Sequence, residues 1–96
     1  MNNSYEELGK SIGALVDDKQ KSYGNSFGKV HEILLVLYPN GIPTDHYRHV
    51  LAMVRILDKM FRIATDPDAF GENPYRDIAG YGMLGVGLDE SDHYTR

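Results

Sequence analysis

DHYRHVLAMVRILDKMFRIA, residues Asp45 to Ala64, reads as one long helix with an unusually wide apolar arc. At helical spacing Val50, Met53, Val54, Ile56, Leu57, Met60, Phe61 and Ala64 cover well over half of its circumference. Arg48, Arg55 and Arg62 fall seven apart, so they lie in one line on the remainder, with Asp58 and Lys59 beside them. A helix with so wide an apolar arc is expected at the centre of its fold. Its polar stripe is then a cationic row with a single carboxylate, on a chain whose formal net charge is −4. That contrast points toward an anionic ligand or partner.

Three more helices flank this one, giving an all-α bundle of about four helices, roughly 5–23, 27–38, 45–64 and 74–88. Ser4-x-x-Glu7 matches a capping box at the first. Tyr5, Leu8, Ile12, Leu15, Val16 and Tyr23 then form one face, and Gly24 is a natural stop. Asn25 or Ser26 can cap the second helix, whose apolar face is Phe27, Val30, Ile33, Leu34, Leu37 and Tyr38. Pro39 ends it, and Tyr38 to Pro43 makes a turn in which Asn40-Gly41 supplies positive φ. Thr44 is expected to cap the third helix. Asn73, followed by Pro74 at the first helical position, suits the start of the fourth. No period-two alternation competes with these patterns.

Size and composition bound the rest. The 96 residues make one helical domain with a polar tail from about residue 89, expected to fray. A chain this short buries only about 60–65% of its unfolded surface and gains from a partner subunit. A hydrophobic share of 42% with 25% charged residues is that of a globular protein. The acidic balance argues against duplex nucleic acid as a partner. Without cysteine there are no disulfides or thiolate metal sites. No apolar run approaches a membrane span, and MNNSYEELGK lacks a signal peptide's apolar core, so a cytoplasmic location is expected.

The fourth helix carries Gly80, Gly82, Gly85 and Gly87 within eight residues. Each glycine destabilises a helix by up to about 1 kcal/mol relative to alanine, so something must offset them. Tight packing within the monomer, a helix–helix interface between subunits, or a mobile helix over a ligand would each do so.

Polar residues inside apolar faces are the best functional leads. Lys19 stands among Leu15, Val16 and Tyr23, and a sheltered ammonium needs a carboxylate, an anion, or a route to the surface. Asp58 and Asp77 are candidate partners. Asp58 also stands four residues before Arg62, suited to an intrahelical pair, and Asp77 lies in the first turns of the fourth helix, where the dipole favours a carboxylate. Asp77 shares a face with Tyr81. Tyr23-Gly24-Asn25-Ser26-Phe27 combines an aromatic ring, free amides at a helix start and two small polar side chains. Such a turn can seat a phosphate beside a stacked base, or can be ordinary helix-end chemistry. His31, His46, His49 and His93 lack metal-ligand spacing, although His46 and His49 can share a face. Asp66, Asp68 and Glu72 match no calcium loop.

DKQKSYGNSF (Asp18–Phe27), LYPNGI (Leu37–Ile42), MVRILDKMFRIAT (Met53–Thr65) and GENPYRDIAGYGML (Gly71–Leu84) resemble a group of small proteins of tailed phages and prophages. The likeness runs from about Gly13 to Leu88. That group in turn resembles the nucleotide-modification-associated all-helical domain family, distantly similar to MazG-type nucleotide pyrophosphohydrolases. The wider link rests on Lys19 to Gly24, Arg55 to Arg62 and Asp77 to Tyr81. MazG-type enzymes are implied to hold Mg²⁺ through ExxE and ExxD carboxylates. Here Glu32, Asp58 and Asp77 are the inward candidates, and neither pair is present.

The expectation is therefore a nucleotide-binding protein of phage type that does not turn its ligand over, with no cofactor. Lys19, Arg55, Lys59 and Arg62 would hold phosphate and Tyr23 would stack. Asn25 or Ser26 would hydrogen-bond, while Asp58 and Asp77 would orient the cations and Tyr81 would complete the site. The resemblance implies anti-defence sequestration of a host cyclic nucleotide in the host cytoplasm. It also implies a homo-oligomer built through the glycine-rich helix. The alternatives are a divergent Mg²⁺-dependent nucleoside triphosphate pyrophosphohydrolase, a nucleotide-modification accessory, or a protein-binding regulator.

Overall fold

The computed structural model describes residues 4–90, the side chains of Asp89 and Glu90 excepted. The expected tail beyond residue 90 and His93 lie outside the described residues. The described chain is all-α: α1 (Tyr5–Tyr23), α2 (Ser26–Leu37), α3 (Tyr47–Thr65) and α4 (Pro74–Glu90), with 3₁₀ turns at Thr44–His46 and Ala69–Gly71. None of the described helices is long and apolar enough to cross a membrane.

Local chemistry sets most of these boundaries. Ser4 accepts the Glu7 amide at 3.2 Å, and Asn73 Oδ1 accepts the amides of Tyr75 and Arg76 at 3.0 and 3.3 Å. Gly24 ends α1 in the left-handed region, with φ 59°. Asn25 follows at φ 58°, so two left-handed residues in succession turn the chain into α2. At Asn25 the cap expectation fails, because its side chain makes no capping bond. Asn25 Oδ1 instead accepts from Gln20 Nε2 at 2.7 Å. Thr44 does not cap α3 either. It opens the 3₁₀ turn that leads into the helix, and neither Pro43 nor His46 supplies a side-chain cap.

α3 is the hub against which α1, α2 and α4 all pack. At the start of α3, His46 Nδ1 lies 3.0 Å from Tyr38 Oη, and His46 and His49 meet edge to face at 5.7 Å. At its end, the turn between α1 and α2 presses on Thr65. A Cβ at Gly24 would run into Thr65 Oγ1.

The apolar arc of α3 is only half covered. Val50, Met53, Val54, Ile56, Leu57 and Phe61 are half-buried, while Met60 and Ala64 are exposed. Among the described residues the buried hydrophobic core comprises Val30, at 6% exposure, and Ala69. The α1 face is open to solvent. The chain exposes 7409 Å², against about 5,500 Å² for a folded monomer of 10.8 kDa. Its radius of gyration is 16.7 Å, where about 12.5 Å is usual at this length.

The cationic row departs from expectation in the opposite sense. Arg62 is 0% exposed, Arg48 is half-buried and Arg55 exposed. Only its last member, Arg62, passes under the connection to α4, while Arg55 stays at the surface.

Candidate functional site

Tyr23, the last residue of α1, stands where α1, α3 and α4 come together. Lys59 Nζ donates to its hydroxyl at 3.4 Å and lies 5.7 Å from its ring centroid. Lys19, one turn earlier in α1, reaches the same ring at 5.9 Å. Two ammonium groups thus lie within 6 Å of one aromatic ring centre, that of Lys59 at its hydroxyl edge. Lys19 also sits 4.2 Å from the ring of Phe70, which the connection before α4 presents in the left-handed region at φ 61°.

Lys59 is held by α4. Its ammonium pairs with Asp77 at 3.1 Å, with the lysine side chain 14% exposed. Burial works against the charge, but hydrogen bonds to Asp77 and Tyr23 and their electrostatic attraction outweigh it. The pKa therefore rises above the usual 10.5. Lys19 makes no ion pair among the described residues, and neither does Asp58.

A hollow of about 610 Å³ opens beside this cluster, lined by Leu15, Val16, Lys19, Gln20, Tyr23, Ser26, Phe27 and Asp58. Its walls are mostly apolar, with an ammonium and an unpaired carboxylate set into them. The first turn of α2, bearing Ser26 and Phe27, forms one edge. A second groove of about 410 Å³ runs between α3 and α4, lined by Arg48, Leu51, Arg55, Tyr81, Leu84 and Gly85 among others. Arg55 lies over the Tyr81 ring there, at 5.7 Å.

The expected site residues therefore divide. Lys19, Tyr23, Ser26 and Asp58 share the first hollow, and Asn25 borders it through its bond to Gln20. Arg55 and Tyr81 belong to the second groove. Lys59 and Asp77 form an ion pair that joins α3 to α4.

Arg62 is turned inward. Its Nη2 donates to the carbonyl oxygens of Ala69 and Glu72, the latter at 2.8 Å. Its Nη1 lies 3.6 Å from Glu72 Oε1. The expected Asp58–Arg62 pair is therefore not formed, and this guanidinium fastens the connection before α4. A place for Arg62 on a ligand's phosphate is corrected accordingly, because the side chain is enclosed.

Glu32, expected inward, is exposed on α2. Among the described residues no three or more His, Asp or Glu are placed to hold a metal ion. The glycines of α4 do not serve close packing within the protomer, since a Cβ at Gly80, Gly82, Gly85 or Gly87 would meet nothing within 4 Å.

Sequence reasoning missed Phe70 and assigned Phe27 to the core. Phe27 is 93% exposed at the rim of the hollow. Its helical register with Val30 and Leu34 gave the wrong signal, because register shows which residues share a face and not how far along the helix that face is covered. For Phe70 there was no signal, since its contact with Lys19 depends on how the connection folds.

No protein-family model matches the chain, and no curated protein or solved structure is significantly similar to it.

Proposed function

We propose that this protein binds a phosphate-bearing nucleotide, without turning it over, in the hollow between α1, the start of α2, and α3. The observation that carries this reading is the grouping of Lys19, Tyr23, Ser26, Phe27 and Asp58 around one mostly apolar hollow of about 610 Å³. Small-molecule sites commonly span about 300–1,000 Å³ and combine apolar walls with a few placed polar groups.

Each lining group has a chemical role. Lys19 meets a phosphate, and the aromatic faces of Tyr23 and Phe27 receive a base. Ser26 and the neighbouring Asn25 hydrogen-bond to the ligand. Asp58 accepts from an amino or imino N–H on the base edge. Asp77 keeps Lys59 charged and aimed at Tyr23, so that Lys59 adds positive potential without leaving its ion pair. Arg55 over Tyr81 marks the neighbouring groove as a second cationic surface. In a phage-type protein, retention of an intact nucleotide amounts to sequestration of a host signal, such as a cyclic nucleotide that triggers defence. A homo-oligomer seated through the open glycine face of α4 belongs to the same reading.

Thermal-shift and calorimetric titration with mono-, di-, tri- and cyclic nucleotides, with and without Mg²⁺, tests this directly. At least one nucleotide raises the melting temperature and is recovered intact. Tyr23→Ala weakens its binding by roughly 5- to 160-fold, from a stacking contribution of about 1–3 kcal/mol. Lys19→Ala weakens it as well. Release of pyrophosphate, or no shift with any nucleotide, rejects the proposal.

A further inference from the structure

Phe70 stands in the left-handed region, at φ 61° and ψ 14°. Among the described residues the only other non-glycine with positive φ is Asn25, a residue type that tolerates it; a bulky aromatic does so only under strain. A glycine would sit at position 70 without strain, as Gly71 does beside it at φ 65°. Burial does not account for the ring either, because Phe70 is 48% exposed.

Arg62 fixes the backbone on both sides of it. This enclosed guanidinium donates through Nη2 to the carbonyl oxygens of Ala69 and Glu72, one residue before Phe70 and two residues after it. The Gly71 amide donates to the Asp68 carbonyl at 3.3 Å, and the Glu72 amide to the Ala69 carbonyl at 3.4 Å, closing the turn across the same position. Strained backbone persists only where its surroundings over-determine it, and such residues gather at ligand clamps and active sites.

What the ring meets is Lys19. The Lys19 ammonium lies 4.2 Å from the Phe70 ring centroid, against 5.9 Å from that of Tyr23. Lys19 lines the hollow of about 610 Å³, whereas Phe70 is not among the lining residues, so the ring holds the lysine from outside. The two lysines of this region are therefore held differently. Lys59 has a counter-charge, Asp77, at 3.1 Å. Lys19 makes no ion pair among the described residues, and an aromatic face attracts an ammonium without supplying a counter-charge.

We infer that Phe70 is a positioning residue: its ring holds the Lys19 ammonium at the rim of the hollow, with the charge left over for an anion. The identity of that anion rests on the phosphate reading of the hollow; the hold of Phe70 on Lys19 does not. A lysine side chain gives up rotamer freedom when a ligand fixes it, and prior placement by the ring removes part of that cost. The strain at residue 70 is thereby offset by a site assembled before its ligand arrives.

Phe70→Leu removes the ring and keeps an apolar side chain, while Phe70→Tyr keeps the ring. Carbon-13 NMR of the labelled protein reads Lys19 directly, its ε-methylene signal being assigned by its disappearance in Lys19→Arg. Without ligand, the ring current holds this signal upfield in the unmodified protein and in Phe70→Tyr. In Phe70→Leu it moves toward that of the exposed Lys10. Inorganic pyrophosphate is then titrated and followed through the same signal. Its affinity falls roughly 2- to 5-fold in Phe70→Leu, the size of an exposed cation–π contact, and is retained in Phe70→Tyr. A ligand-free Lys19 signal that Phe70→Leu leaves in place overturns the inference, and so does equal pyrophosphate affinity in Phe70→Leu and the unmodified protein. If none of these proteins responds to pyrophosphate while the upfield shift is present, the phosphate reading of the hollow fails and the hold of Phe70 on Lys19 stands.

Discussion

Gly24 and Arg62 are two residues whose roles depend on what lies across from them. Gly24 is legible in the sequence as a helix stop, and its φ of 59° agrees. Its second task, letting the α1–α2 turn press on Thr65, is invisible there because Thr65 is distant in sequence. Arg62 shows the same limit more sharply. Seven-residue spacing placed it correctly in line with Arg48 and Arg55. Spacing alone gives no sign that the connection from Asp66 to Asn73 folds over it and captures its guanidinium. Two substitutions test these assignments by thermal denaturation. Gly24→Ala destabilises by about 1–3 kcal/mol, from left-handed strain and the contact with Thr65. Arg62→Met leaves buried carbonyls unpaired and destabilises on the order of 2–4 kcal/mol. An unchanged melting temperature in either variant contradicts the role given to that residue.

The number, type and order of the helices, and the central place of α3, follow from apolar periodicity and end chemistry. What periodicity cannot say is which apolar face finds a partner within the same chain. The faces of α1 and α3 were legible as faces, yet α1 stays open and α3 half covered. The glycines of α4 likewise mark a small face without naming its neighbour.

The Lys59–Asp77 pair, which ties α3 to α4, makes a pH-dependent prediction. A lysine whose folded pKa lies above its unfolded value adds stability in full below the unfolded value, near 10.5. That stability is lost as pH rises through the raised folded value. The melting-temperature gap between the unmodified protein and Lys59→Met is therefore constant from pH 7 to about 10 and closes above about 10.5. A gap that closes on acidification within the neutral range would refute this assignment.

For the whole molecule, burial is thin and the radius of gyration is 16.7 Å. Its length already pointed to thin burial, because so short a chain has little interior to form. Of the candidate site, Lys19, Tyr23, Ser26 and Asp58 were legible and are gathered around one hollow. Arg55 and Tyr81 were each named for the site but stand together in a different groove. Tyr81 reaches that groove because α4 packs on α3, a long-range contact that side-chain spacing does not encode.

The reading of this protein as a nucleotide binder depends on whether the hollow holds such a ligand under cellular conditions. Mass spectrometry of small molecules released by denaturing protein freshly purified from its expression host addresses this most directly, with Lys19→Ala prepared in parallel. The account predicts an intact phosphate-bearing nucleotide in near-stoichiometric amount from the unmodified protein and a strongly reduced amount from Lys19→Ala. Equal recovery from both proteins, or none from the unmodified protein even after incubation with the full nucleotide panel, would contradict it.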